Sequence, residues 1–337
     1  MPLSMRRVAI AAALLALPVL VWAAPRGEPR AGTPAVPLSA RGVAPAMVGI
    51  RVEVPRDRPS AATLGVQRWG SGVIFDAAGY VLTVSYVLLD AERIEVTLRD
   101  GRVVPARLVG LDLEVGLGVL KLSWPGPWPS APLGDSTAVK QGQPTVTVGV
   151  DEEGDLVSTA GRVEEVRAFS ASWEYLLDRA FIVAPANAAF GGAALVDGNG
   201  RVVGITSLRL DPPGPTNLAI PIEKFLAAKD ELLAQGRVTS RRPRAWLGLY
   251  TQTQEGLGLV VVGASPAGPA LSAGFQRGDV IVRLGGQTVG SQEEFYARLW
   301  ERQPGEDVVV VVRRENRFQA ITVRPADRYR IFRTSER

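Results

Sequence analysis

Asp151, Glu152, Glu153 and Asp155 place four carboxylates in one short stretch, a grouping that could hold a hard cation. Their spacing is not that of an EF-hand loop, so a solvated turn is the expectation. Histidine and cysteine are absent from all 337 residues. Their absence excludes the usual zinc and haem sites, and any catalytic pair built on an imidazole base or a thiolate. Lys121 and Lys140 leave room for a Ser–Lys pair, but no motif sets a serine beside either one. No metal and no cofactor is expected.

The elements that would position any site are short apolar runs. VGIRVEV, SGVIFD, YVLTVSYVL, RIEVTL, LGVLKL, TVTVGV, FIVAPA and RVVGITSL recur between turn signals, which predicts an all-β barrel or sandwich. Asp100-Gly101, between IEVTLR and RVVPARL, is a hairpin turn. One helix is predicted over Ile222–Gln235, opened by Pro221 and closed by Gly236. A second is predicted at SQEEFYARLWER, capped by Ser291 with Glu294 three residues on. Hydrophobic residues make up 46% and charged residues 21%, so a packed core is within reach, and the length suits two domains. The net charge of +4 comes from arginines scattered among acids, which gives no nucleic-acid partner.

The start of the chain carries Arg6 and Arg7, an apolar stretch from Val8 to Trp22, then Ala23 and Ala24. This pattern reads as a secretory signal with cleavage after Ala23 or Ala24. The rest is expected to have no stable membrane span once the signal is removed, which places it in the periplasm or cell envelope, tethered to the membrane if cleavage fails. The expected organisation is a signal peptide over 1–24, a mobile linker over 25–45, a first domain over 46–236, a linker over 237–244, a second domain over 245–326 and a tail over 327–337.

The run GSGVIFDAAGYVLTVSYVLLDAERIEVTLRDGRVVPARLVGLDLEVGLGVLKL, with NAAFGGAALVDGNGRVVGI and NLAIPIEKF, closely resembles the HtrA (DegP-like) trypsin-fold proteases. The resemblance implies a mainly β fold, a trypsin-like double β-barrel. It places Tyr86 where the family has its catalytic histidine, Gly116 where it has the orienting aspartate and Gly191 where it has the nucleophilic serine. Ala189 and Gly191 match its oxyanion-hole donors. With Ala and Phe190 in that loop, no anion pocket is expected. Because a phenol with a pKa near ~10 is a poor base at neutral pH, the expectation is a degenerate triad and a protein that is not an enzyme.

From Trp246 onward, WLGL and ASPAGPALSAGFQRGDVIVRLGGQTV resemble the PDZ domains that follow HtrA proteases, an α+β fold. Such domains add a peptide as a strand beside a helix. By resemblance, Trp246, Leu247, Gly248 and Leu249 form the carboxylate loop, while Gln292, Tyr296 and Leu299 share the helix face that walls the groove, leaving Phe295 in the core. An apolar groove of Leu247, Leu249 and Leu299 would favour a hydrophobic ligand terminus. The expected function is a pseudoprotease that binds C-terminal or unfolded polypeptide segments in the envelope, as a homotrimer or a mixed trimer with an active relative. The alternatives are a serine-type endopeptidase of envelope protein quality control and a structural envelope protein with no ligand.

Overall fold

Strands Met47–Glu53 (β1) and Pro144–Val150 (β7) bury nearly every side chain, as strands do when both faces are covered. The computed structural model describes residues 36–211 and 214–334, and these two strands line the seam between two closed barrels. There Gly49 brings the strands together, since a Cβ on it would lie 3.3 Å from Val150 Cγ1. The first barrel adds Gln67–Asp76 (β2), Tyr80–Val84 (β3), Arg93–Thr97 (β4), Val103–Asp112 (β5) and Leu117–Leu122 (β6), and closes in the order β1-β2-β3-β6-β5-β4. The second contains β7 with Leu156–Ala171 (β8), Tyr175–Ala184 (β9), Ala194–Val196 (β10), Val202–Leu210 (β11) and Thr216–Pro221 (β12), in the order β10-β11-β12-β9-β8-β7. Two short helices, Ala61–Leu64 (α1) and Ser85–Leu88 (α2), interrupt the first barrel.

The expected helix over Ile222–Gln235 is in fact two, Ile222–Leu226 (α3) and Lys229–Gln235 (α4). A tight turn separates them, with the Ala228 N–H on the Phe225 carbonyl at 2.9 Å. It re-aims the chain so that both Phe225 and Leu232 are fully buried. Gly236 closes α4 in the left-handed region, as its position predicted. The mobile linker is also corrected over its described part. Residues 36–46 fold into short 3-10 turns that bury Ala40, Val43 and Ala46, because the first turn packs against β7 of the second barrel and the second against β2 of the first. The signal-peptide reading and the linker up to residue 35 lie outside the described residues.

The C-terminal domain begins with Ala245–Trp246 (β13) and is built on Leu249–Gln254 (β14), Gly258–Ala264 (β15), Val280–Leu284 (β16), Gln287–Thr288 (β17), Val308–Arg314 (β18) and Arg317–Val323 (β19). Helices Pro269–Ala273 (α5) and Gln292–Trp300 (α6) pack on this sheet. The Ser291 hydroxyl caps α6, accepting from the Glu294 N–H at 3.2 Å, while the Glu294 carboxylate accepts from Gly290 N–H instead of closing the box on Ser291.

Three ties join this domain to the barrels. The β8–β9 hairpin runs out to it, Arg241 and Arg244 pair with Asp112 and Glu114 on the first barrel, and the chain returns at its end. In that return Ala326–Asp327 (β20) pairs with β13 and leads into Arg328–Ile331 (α7). Arg328 then donates to the Leu113 carbonyl at 3.0 Å, the Tyr329 hydroxyl accepts from the Leu113 N–H at 3.0 Å, and the Arg333 N–H donates to the Asp90 carboxylate at 2.6 Å. The segment after 326 is thus packed against the first barrel.

Candidate functional site

Tyr86 sits on α2 at the mouth between the barrels, and Arg68, itself buried, fixes that helix by donating to the carbonyls of Tyr86 (3.0 Å) and Leu89 (2.7 Å). The phenol crosses to the second barrel, where its hydroxyl donates to the Ser207 carbonyl at 2.8 Å. It passes directly over Gly191, since a Cβ built there would lie 2.9 Å from Tyr86 Oη. Burial pushes the phenol far above its usual pKa, so it stays protonated. Gly116 stands at φ +84° on the other side, and a Cβ on it would lie 3.2 Å from Tyr175 Oη. That second hydroxyl donates to the Val115 carbonyl at 2.7 Å. Tyr86 and Gly191 are therefore brought together, while Gly116, whose carbonyl accepts from the Ser85 N–H at 2.8 Å beside Tyr86, turns its Cα toward Tyr175 of β9.

The loop before Gly191 is occupied by its own bonds. The Ala189 N–H donates to the Asn187 side chain at 2.8 Å, and the Asn187 amide group donates in turn to the Thr147 and Val157 carbonyls. The Ala189 N–H is therefore committed within the loop and unavailable to an incoming oxyanion. Ser71 on β2 ties the loop to both barrels: its N–H donates to the Gly191 carbonyl at 2.7 Å and its hydroxyl accepts from the Val150 N–H at 2.8 Å. A serine at Gly191 meets the phenol oxygen, so Gly191→Ser is expected to cost about 1–3 kcal/mol. In a Tyr86→Phe background most of that cost should vanish, and a double-mutant cycle read by urea melts measures the coupling.

In the C-terminal domain the expected groove is closed. Leu247, Leu249, Tyr296 and Leu299 are 0% exposed and belong to the domain's core, which corrects the expectation of an apolar groove awaiting a ligand. What covers them is the tip of the β8–β9 hairpin. Glu174, at φ 58°, lays its carboxylate on the loop at Gly248: the Leu249 N–H donates at 2.8 Å and the Leu247 N–H at 3.0 and 3.2 Å to its two oxygens. Gly248 takes φ +77°, with a Cβ position 2.8 Å from Gly268 Cα, so only glycine lets the loop curl this tightly. Trp246 lies beside the loop, its ring edge-on to Phe332. Gln292 donates to the Thr251 carbonyl at 2.6 Å, and Tyr296 donates to the Ala171 carbonyl at 2.6 Å.

A family model described as a trypsin-like peptidase domain matches residues 70–205, and one described as a PDZ domain matches 245–324. The serine endoprotease DegS of Salmonella typhimurium is 30% identical over 297 residues, covering 82% of this chain and 82% of that protein. The chain belongs to the HtrA-type serine endoproteases. DegS of Escherichia coli is also 30% identical, over 85% of this chain and 84% of the relative. A probable periplasmic DegP-like endoprotease of Halomonas elongata is 30% identical over 77% of this chain, which spans only 56% of that longer protein. Among solved structures, the HtrA-type protease AlgW with decapeptide matches at 26% identity and TM-score 0.52, over 86% of this chain and 97% of that one. The trypsin-like double barrel followed by a PDZ domain is therefore the family's fold. The expectation that the chain is not an enzyme is overturned here: these relatives are named serine endoproteases, and nothing in the comparisons marks a loss of activity.

The residue that sequence reasoning missed in this HtrA chain is Glu174. It is 1% exposed, and burial drives its carboxyl up to about 7 against the opposing pull of the Leu247, Leu249 and Gly248 N–H groups and the Arg328 charge. Tyr296 on α6 is the other titratable group facing it. Since the docked carboxyl holds its proton more tightly than a free one near 4.5, docking is favoured most below that pH and weakens as pH rises through about 7. The protection factor of the Thr251 amide, which donates to the Ser172 carbonyl at 2.9 Å, should fall between pH 5.5 and pH 8 in hydrogen-exchange measurements.

Proposed function

We propose that this chain serves protein quality control in the cell envelope, as a member of the serine-endopeptidase class whose PDZ domain takes C-terminal or unfolded polypeptide segments. The observation that carries the reading is the convergence of the Leu247 and Leu249 N–H groups on a carboxylate. Backbone donors in a glycine-curled loop suit the free end of a peptide. The description of the HtrA-type protease AlgW with a decapeptide supports peptide recognition by a chain of this fold. Envelope placement is supported by the signal-like start and by the periplasmic naming of the DegP-like relative. No helix among the described residues is long and apolar enough to cross a membrane. Assembly as a homotrimer through the barrels belongs to the same reading.

Hydrolysis by this chain has to draw its base from a group other than imidazole, since there is no histidine. The test is a fluorescent casein assay on the purified protein beside capture of the same casein after denaturation. Turnover that survives repeated purification supports the endopeptidase reading, and its pH–rate profile should lack a limb near ~6.5. The absence of both turnover and capture sinks the quality-control reading.

A further inference from the structure

The PDZ groove holds a segment of this chain, and we propose that Ala171–Glu174 is a built-in ligand that any incoming peptide must displace. The inference rests on the peptide-recognition reading above. Three features of a bound chain end are reproduced by the hairpin. The first is the carboxylate, carried by a side chain because φ 58° at Glu174 turns the main chain back into β9. The second is a backbone bond on the sheet edge, where the Thr251 N–H of β14 donates to the Ser172 carbonyl of the hairpin turn at 2.9 Å. The third is closure by the helix. Tyr296 Oη donates to the Ala171 carbonyl and accepts from the Glu174 N–H at 3.1 Å, so one phenol spans the segment.

The hairpin has a further hold outside the groove. The Ser170 hydroxyl donates to the Glu293 carboxylate at the start of α6. Trp173, by contrast, points outward at 41% exposure and stacks on Tyr175, so it is not an anchor in the PDZ core. The carboxylate and the main chain, not an apolar terminal side chain, make the fit. A ligand tethered at its own site competes at high effective concentration, so a free peptide binds only in the fraction of time the hairpin is out. The chemistry that can replace it is a peptide with a free terminal carboxylate and an extended end.

The test compares the full chain with Glu174→Ala. The probe is a fluorescein-labelled decapeptide ending in a free leucine carboxylate, with the amidated peptide as control. The variant is expected to bind the acid form about tenfold or more tightly than the original chain, and to release Thr251 amide protection about tenfold. Glu174→Gly, which is at ease at φ 58°, repeats both measurements without backbone strain. Faster Thr251 exchange with no peptide bound by either protein supports the docking and sinks peptide recognition instead. Equal Thr251 exchange in the two proteins, or equal affinity where peptide does bind, overturns the proposal.

Discussion

Replacing Gly192 by alanine is expected to lower stability by about 2–5 kcal/mol, the sum of a left-handed backbone penalty and an overpacked contact. Gly192 holds φ +88°, and a Cβ on it would fall 2.0 Å from the Ser71 carbonyl oxygen and 2.4 Å from Thr83 Oγ1. Neither neighbour can step aside. Thr83 Oγ1 donates to that same Ser71 carbonyl at 2.7 Å, and the Gly192 N–H donates to Thr206 at 2.9 Å. The methyl would therefore pry the barrels apart at the loop that carries Gly191. Gly198, with open space around its Cβ position, is the control, and Gly198→Ala should stay within about 0.5 kcal/mol. Thermal melts of the two variants against the original chain decide it. Equal midpoints would mean the loop is looser than described.

The second large effect is expected from Arg241→Leu. Asp112 is fully buried, and its carboxylate is held by the Arg241 guanidinium and by the Glu114 and Val115 N–H groups at 3.1 and 3.3 Å. Removing one partner of a buried ion pair costs about 3–5 kcal/mol, because the remaining charge stays desolvated. Arg241 is itself one-third exposed, which brings the expected loss below that range, to about 2–3 kcal/mol. Arg244 limits it little, since it reaches Glu114 at 3.3 Å and stacks over Trp300. Adding Asp112→Asn to Arg241→Leu should recover much of the loss. Urea midpoints at constant m report this, and no recovery would show that the guanidinium acts through packing alone.

The sequence made the barrels legible because their strands are β-branched and separated by turn residues, and the Asp100-Gly101 turn joins β4 to β5 with Gly101 at φ +85°. The three positions Tyr86, Gly116 and Gly191 were found by register with a family, and two of them do meet in space. What filled the space beside them was not legible. Tyr175 approaches Gly116 from 59 positions along the chain, a pairing that only the closure of two barrels creates. Glu174 was hidden for a similar reason. Within SASWEYLL it looks like an acid at a hairpin turn, and its role comes from where β8 and β9 end, far beyond the barrel they belong to. The helix face of Tyr296 and Leu299 is buried instead of open, since periodicity shows which side faces inward and not what covers it.

The return of the chain from β20 to Leu113 and Asp90 has a mechanical consequence. A module fastened only by its entry would swing on a hinge. This one is moored at entry and exit, so it is left with rocking or twisting in place, and any wide excursion requires the final segment to peel off first. Trimming that segment by limited proteolysis would leave the module held by its entry and by the docked β8–β9 hairpin alone.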